Sequence, residues 1–437
     1  MLTRNATAKG GFCSFMKFLP SKPLYTPKRL HYGWVIIFIT ALAYFFSAPG
    51  QTYFISGFTD IYVNELKLDR SSVSSLYSLA TLIAGLVIFS VGKFSDRFGN
   101  KRTTLFVALF LGAACIWNSF NTSLITVFIG FFLDRFFGAG AITFLPTLLL
   151  PSWFYRKRAF AFSLMSMGGV LASSTVPLLN AWLLSTIGWQ AVWRVWGLGL
   201  LAVFLPAVYF FLFDQPRDIG QTPDFSGGIL GADSSVVKDS SFTPREALRT
   251  FPFWGMTLCQ TVLPLIGTGL AFHLVSIYAS KGLPPQYAAL SLSLVALVSF
   301  PVTLLAGRVL DRFRQHHVAA LISLLELGAL IFMFFARSAA LAILFSLAHG
   351  CAMGIQSVSS GIVWPDYFGM KHLGTIRGYA MAGLFIGSAF GPLPLGILYG
   401  LQQSYDTALL LLMVLPVIAF ILALFSKKPY RKERILP

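Results

Sequence analysis

Apolar residues fall along this chain in long, nearly uncharged runs. Twelve of them stand out, at 33–57, 72–92, 103–120, 123–149, 159–184, 190–212, 254–279, 286–307, 317–336, 339–363, 378–400 and 406–426. Runs of about 20 residues have the length needed to cross a bilayer as a helix. Helix is the expected form, because lipid offers no partner to a free backbone N–H. The one long gap, about 213–253, contains GQTPDFSGGILGADSSVVKDSS, a Gly/Ser/Asp-rich linker, and then FTPREALRTFPFW, a short amphipathic helix. The predicted fold is therefore all-α: a polytopic membrane protein of twelve transmembrane helices in two six-helix bundles. The expected divisions are an N-terminal segment 1–31, a first bundle 32–212, a linker 213–252, a second bundle 253–426 and a tail 427–437.

Composition agrees with the pattern. Of the 437 residues 56% are hydrophobic, 43 are Phe and only 11% are charged, too much apolar surface for a soluble fold. The net charge of +17 would fit a nucleic-acid binder, but the cations sit in the gaps between runs, where Lys and Arg hold loops inside and meet anionic headgroups. With both termini inside, 27 Lys and Arg lie on the cytoplasmic side, five lie outside, and Arg135 lies within a run. This bias sets the orientation, expected in a bacterial inner membrane. Cys13, Cys115, Cys259 and Cys351 are scattered and read as apolar filler, not as metal ligands or a disulfide. Residues 1–31 do not read as a cleavable signal, since the first apolar run is too long for one.

A charged knot, GKFSDRFGNKR, follows the second run, and a thinner copy, GRVLDRF, follows the eighth. Gly92, Asp96 and Arg97 repeat as Gly307, Asp311 and Arg312 at a constant offset of 215. Pro151-Ser-Trp-Phe resembles Pro365-Asp-Tyr-Phe at an offset of 214, and Arg158 and Arg377 then open the next run in each half. A duplicated six-helix unit explains both, and repeats of this kind place a binding site between the halves near the midplane.

With these residues in hand, the chain resembles the major facilitator superfamily over nearly its full length. Finer features are similar to its monocarboxylate-transporter and oxalate/formate-antiporter branch. They are Tyr32-Gly33-Trp34, Pro49-Gly50-Gln51, Trp153-Phe154-Tyr155-Arg156-Lys157-Arg158, Gly188-Trp189 and Arg245-Glu246-Ala247-Leu248-Arg249. The resemblance implies alternating access, with helices one, four, seven and ten lining the cavity. It also implies that the knots lie near the cytoplasmic starts of helices eleven and five. A carboxylate at a helix N-terminus is worth about 0.3–1 kcal/mol. The knots then read as a latch that shuts the inner side. Plain topogenesis is the other reading; it covers Lys101 and Arg102 but not the repeated Asp.

Arg135 lies about 12 residues into the fourth run, roughly 18 Å deep at ~1.5 Å per residue. Arg at the bilayer centre costs about 2.5–3.5 kcal/mol on insertion scales, so Arg135 is expected to face a wet cavity or a carboxylate. It is a candidate anchor for a carboxylate substrate; a structural pair with Asp134 is the alternative. Asp134 and Glu326 are the acidic residues deep in runs and the proton-coupling candidates, and each could instead be structural. Gln51, Tyr53, Gln260, His273, His349 and Gln356 fall on cavity helices by resemblance and are candidate substrate contacts; each could equally bridge helices. Members of the branch carry a basic residue deep in helix eight and some another in helix eleven. Here neither the eighth run nor the eleventh, read from Gly378, has one, which argues against a dicarboxylate held between two cations.

The expected function is secondary active transport of a small organic anion, a carboxylate, by alternating access, coupled to protons or run as exchange. A carrier exporting a larger amphipathic compound (a drug or siderophore) is the alternative, and a non-transporting sensor on the same fold is another. No H-E-x-x-H, Walker A loop or Ser/His/Asp set appears, so no enzyme, cofactor or metal site is expected. The expected partners are the solute, the bilayer and protons, but not nucleic acid, and the chain is expected to act as a monomer.

Overall fold

A computed structural model describes residues 31–68, 70–222, 241–284 and 286–429; among them there are twelve helical spans and no strand. The N-terminal segment up to residue 30, the linker residues 223–240 and the tail from residue 430 lie outside the described residues. In the first bundle, α1 runs Gly33–Phe46 and Thr52–Glu65, α2 Arg70–Val87 and Phe89–Phe98, α3 Asn100–Asn118, α4 Leu124–Trp153, α5 Arg158–Ile187 and α6 Trp189–Phe211. In the second, α7 is Phe251–Ser280, α8 Gln286–Arg312, α9 Gln315–Phe334, α10 Ala339–Phe368, α11 Leu373–Gln402 and α12 Asp406–Phe425. Eleven have the length and composition to cross a membrane; α3, which opens on Asn100-Lys101-Arg102, is the twelfth span. The bundles meet along α2–α11 on one side of the molecule and α5–α8 on the other, as a duplication requires.

Helix ends correct the sequence reading. Hydropathy falls where lipid ends, but a helix continues until a cap or turn stops it. So α2 runs on to Phe98 and carries Asp96 within its last turn, α10 continues to Phe368, and α11 begins at Leu373, five residues ahead of the apolar run. Gly369, with φ +78°, stops α10 in a conformation few other residues tolerate. Two copies of the GxxxD knot therefore differ locally: Asp96 is helical, whereas Asp311 lies in a 3-10 turn, Leu310–Arg312.

Two breaks set the interior. Pro49 and Gly50 interrupt α1 in a 3-10 turn, Ala48–Gly50. Opposite them, α4 widens into a π-helical stretch at Asp134–Ala141. The backbones touch here: a Cβ on Gly50 would run into the Ala139 amide and the Asp134 carbonyl. Such wide turns free backbone groups and often mark working sites. Other termini are capped locally, Ser123 for α4, Thr250 for α7 and Ser338 for α10. Asp214, after α6, caps α3 by accepting from the Lys101 amide (2.6 Å), and burial pushes its carboxyl above the ordinary carboxylate range.

Candidate functional site

A cavity of about 160 Å³ lies between the bundles. Its polar wall comes from Tyr44 of α1, Thr143 and Thr147 of α4, Gln260 of α7, Ser360 of α10 and Arg377 of α11, with Trp364 and Phe144 as aromatic faces. Helices one, four, seven and ten are those the resemblance implied; α11 is an addition. Arg377 is 3% exposed. Its Nη1 reaches the carbonyls of Thr147 and Gly361 at 3.5 and 3.4 Å, long for hydrogen bonds, and its Nε has no partner among the described residues. No carboxylate pairs with it there. Helix eleven thus carries a cation near its start, the Arg377 that opens it in the sequence reading, while the stretch from Gly378 has none. The start of α11 at Leu373 puts Arg377 in its second turn, and there it forms part of the wall. Gly369, a stop for α10 so soon after Pro365-Asp-Tyr-Phe, was the available signal that α11 begins early.

Arg135 is 8% exposed. Its Nη1 donates to the Gly50 carbonyl at 2.8 Å, a group released by the break in α1. Its guanidinium lies 5.2 Å from the Tyr77 ring and 5.8 Å from the Phe385 ring, so α2 and α11 both flank it. Tyr77 in turn lines a smaller cavity of about 110 Å³, with Thr52, Ser56 and Phe272. Phe385 follows Arg377 by eight residues, which is about 12 Å along a helix. The two cations are therefore stacked along the seam, not side by side. Asp134, fully buried, turns elsewhere: its Oδ2 accepts from Asn118 Nδ2 at 2.6 Å, and no ion pair joins it to Arg135 among the described residues.

Other sequence candidates are dispersed. Gln260 lines the central cavity, and Gln356 sits behind it, donating to the Gln260 carbonyl at 2.8 Å. Gln51 donates to Ser47 within α1 (3.2 Å), and Tyr53 is half-buried on the outer half of the same span. His273 Nδ1 lies 3.3 Å from the Tyr405 hydroxyl. His349 lies outside the wall of the central cavity, its Nδ1 2.8 Å from Glu326 Oε2. Phe345 stacks on its ring, and its other edge faces Gly267 of α7, where an added methyl would sit 3.6 Å away. The acid on α9 and the imidazole on α10 are 23 positions apart, so no local pattern joined them. Among the described residues no group of three His, Cys, Asp or Glu could hold a metal ion.

The charged knots lie at one end of the molecule, and there each bundle caps the other. Neither α5 nor α11 has a side-chain cap of its own. Asp96 supplies the one for α11: Oδ1 accepts from the Gly374 amide (3.0 Å), and Oδ2 from the Thr375 amide (2.8 Å) and hydroxyl (2.6 Å). Asp311 does the same for α5, both oxygens sharing the Ala159 amide at 3.1 and 3.2 Å. The glycines make this possible. A Cβ on Gly92 would strike the Gly374 carbonyl, and one on Gly307 the Ser163 side chain.

The chain matches the Major Facilitator Superfamily profile over residues 40–336 and 269–437. It is 26% identical over 343 residues to the uncharacterized MFS-type transporter YhjX of Escherichia coli (strain K12), covering 74% of this chain and 78% of that one. It is 24% identical over 294 residues to monocarboxylate transporter 2 of Rattus norvegicus, covering 63% and 57%. In fold it is similar to the proton:xylose symporter XylE (TM-score 0.67, 14% identity, 90% and 95% covered). It is also similar to FucP in its outward conformation (TM-score 0.66, 14% identity, 91% and 100% covered).

Proposed function

The chain belongs to the major facilitator superfamily, and from that premise we propose that it carries a small organic anion bearing one carboxylate across the cytoplasmic membrane by alternating access. The observation that carries this reading is Arg377: a buried guanidinium, unpaired by any carboxylate among the described residues, in the wall of a cavity between the bundles. An uncompensated buried charge costs several kcal/mol, and a bound anion offsets that cost. Tyr44, Gln260 and Ser360 offer further polar contacts, and Trp364 a flat apolar face. The name of the rat relative points the same way.

The second cation does not make this a dicarboxylate clamp. Arg135 lies beside Phe385, which is about 12 Å along α11 from Arg377, so the two cations sit at different depths of the seam and are read as separate sites, not as the two ends of one clamp. They act instead as successive stations, Arg135 nearer the outside and Arg377 nearer the inside. A cavity of about 160 Å³ favours a small solute over a large amphipath. An inside-negative potential opposes anion entry by about 2.3 kcal/mol per charge per 100 mV, and a proton carried along cancels that. The Glu326–His349 pair is the proposed proton site, because it is a buried acid and base in contact beside a cavity helix, α7. The knot-bearing end is cytoplasmic in this reading, so the structure is closed to the cytoplasm.

The test is flux into proteoliposomes under an imposed pH gradient, across a panel of monocarboxylates. Arg377→Gln should cut flux about 10- to 150-fold, the worth of one or two charged hydrogen bonds of about 1.5–3 kcal/mol. Arg377→Lys should retain part of it. Undiminished carboxylate flux in Arg377→Gln overturns the assignment, and no flux of any solute by the native chain leaves the sensor reading in its place.

A further inference from the structure

We propose that Asp134 is a second proton-binding site, served by an amide relay of Asn118 and Asn121, which sets the charge of the anion station at Arg135. It rests on the anion reading above only for what Arg135 binds. Asp134 and Asn118 are 0% exposed and Asn121 2%, so water reaches none of them. Asn118 stands between the other two: its Nδ2 donates to Asp134 Oδ2 at 2.6 Å, and its Oδ1 accepts from Asn121 Nδ2 at 2.9 Å. Every donor in this row points toward the carboxylate. That leaves Asp134 Oδ1 at one end and Asn121 Oδ1 at the other buried without a hydrogen-bond partner among the described residues. A metal ion does not suit the pair. Hard cations gather about six oxygens around one centre, whereas here the Asn118 amide separates the two free oxygens.

A proton on Asp134 removes the mismatch. Its Oδ2 then donates to Asn118, whose amide turns over so that oxygen faces Asp134 and nitrogen faces Asn121; an amide carries an acceptor and a donor of similar size, so the turn keeps both separations. Asn121 turns with it. Its oxygen gains the Asn118 donor, and its nitrogen swings toward the Tyr62 hydroxyl beside it. Asp134 Oδ1 becomes a neutral carbonyl oxygen, which costs less to bury than a carboxylate one. Only the O–H bond forms, and only Asp134 changes charge. The surroundings seat this row. A Cβ on Gly130 would strike Asn118 Oδ1, and Trp193 Nε1 holds the Tyr62 hydroxyl at 3.1 Å. Asn121 lies in the α3–α4 connection between the exposed Phe120 and Thr122, at the end of the molecule opposite the knots, so the row leads inward from that face.

Arg135 is the charge that this proton serves. It follows Asp134 on α4; from the helices packed there, α1 brings Tyr62, α2 brings Tyr77 against Arg135, and α3 brings Cys115. Farther out, Glu65 of α1 is held by Trp189 (2.6 Å) and Arg194 of α6 by Ser119 (3.1 Å). With Asp134 ionised the station is a cation beside an anion. With Asp134 protonated it is a net cation. A carboxylate bound at Arg135 therefore favours the proton, and the proton favours the carboxylate by the same factor.

The test follows proton and anion separately, on the full chain in lipid nanodiscs. With no solute present, infrared difference spectra between alkaline and acid pH should show the C=O stretch of a protonated carboxyl that is missing in Asp134→Asn. In Asn118→Leu the band should move to the higher frequency of a carboxyl without a hydrogen bond. With acetate and propionate as probes, affinity should rise by up to about tenfold for each unit the pH falls through the range of that band, with uptake of about one proton per anion. Asp134→Asn donates to Asn118 as the protonated acid does, so it should still bind the probes but lose the slope. Glu326→Gln, which removes the other buried carboxylate, should keep band and slope. A band that survives in Asp134→Asn, no band in the native chain, or an undiminished slope in Asp134→Asn overturns the proposal. A band at Asp134 in a chain that binds neither probe overturns the link to Arg135 and the anion reading, and leaves the proton site standing.

Discussion

Removing Asp96 should open the cytoplasmic gate, and the size of the effect can be worked from the cap it makes. Asp96 accepts three hydrogen bonds at the start of α11, from two amides and the Thr375 hydroxyl. A helix N-cap is worth about 0.5–2 kcal/mol and a carboxylate on the helix dipole about 0.3–1. Since the Asp96 side chain is reached by water, the combined worth is of order 1–2 kcal/mol, which is roughly a 5- to 30-fold change in the gate equilibrium. Asp311 caps a helix of the other bundle, both its oxygens accepting from the Ala159 amide, and Asp311→Ala is expected to open the gate as well. Asp96→Asn should fall between native and Asp96→Ala, because Asn caps nearly as well but carries no charge. The assay is the interbundle distance distribution of the full chain in nanodiscs, labelled at Arg217 and Phe313. An Asp96→Ala distribution identical to native refutes the latch.

Two further outcomes follow from the interior. Gly50→Ala forces a methyl into the α4 backbone at Ala139, which cannot give way, and should lower stability by about 1–3 kcal/mol, read as a lower melting temperature in detergent; Gly57→Ala, where an added methyl meets nothing within 4 Å, should not. Glu326→Gln leaves His349 a partner of the same shape but no carboxylate, and should abolish pH-gradient-driven accumulation while exchange of labelled for unlabelled solute persists; accumulation at the native level removes the proton role from the pair.

Twelve spans, the six-plus-six division and the repeated knots were legible because each is written in runs or offsets along one dimension. Helix ends were not, since lipid thickness governs hydropathy whereas caps and turns govern helices, and five residues at the start of α11 were enough to hide that Arg377 reaches the cavity wall. Contacts between distant helices were also invisible. Glu326 and His349 look like separate lone groups in sequence, and Tyr44, Thr143, Thr147 and Ser360 look like ordinary polar residues in apolar runs. What selects them is the rotation of each helix about its axis, and here that follows from breaks such as Pro49-Gly50 and the wide turn at Asp134–Ala141.

On the proposed function, the cap and the cavity act on one helical turn. Gly374 and Thr375, the groups Asp96 holds, precede Arg377 by three and two residues. An anion pulling on Arg377 therefore loads the segment that the latch fixes, with no intervening relay. The magnitudes match as well. Swinging an equilibrium from 1:99 to 99:1 takes about 5.5 kcal/mol. The Asp96 cap holds the closed gate by about 1–2 kcal/mol, and one arginine–carboxylate contact supplies about 1.5–3 per charged hydrogen bond. Substrate bound at Arg377 can thus tip the gate without a second energy source, whereas a latch several times stronger would trap the carrier closed. Gate bonds reached by water, such as those of Asp96, keep the latch within that range.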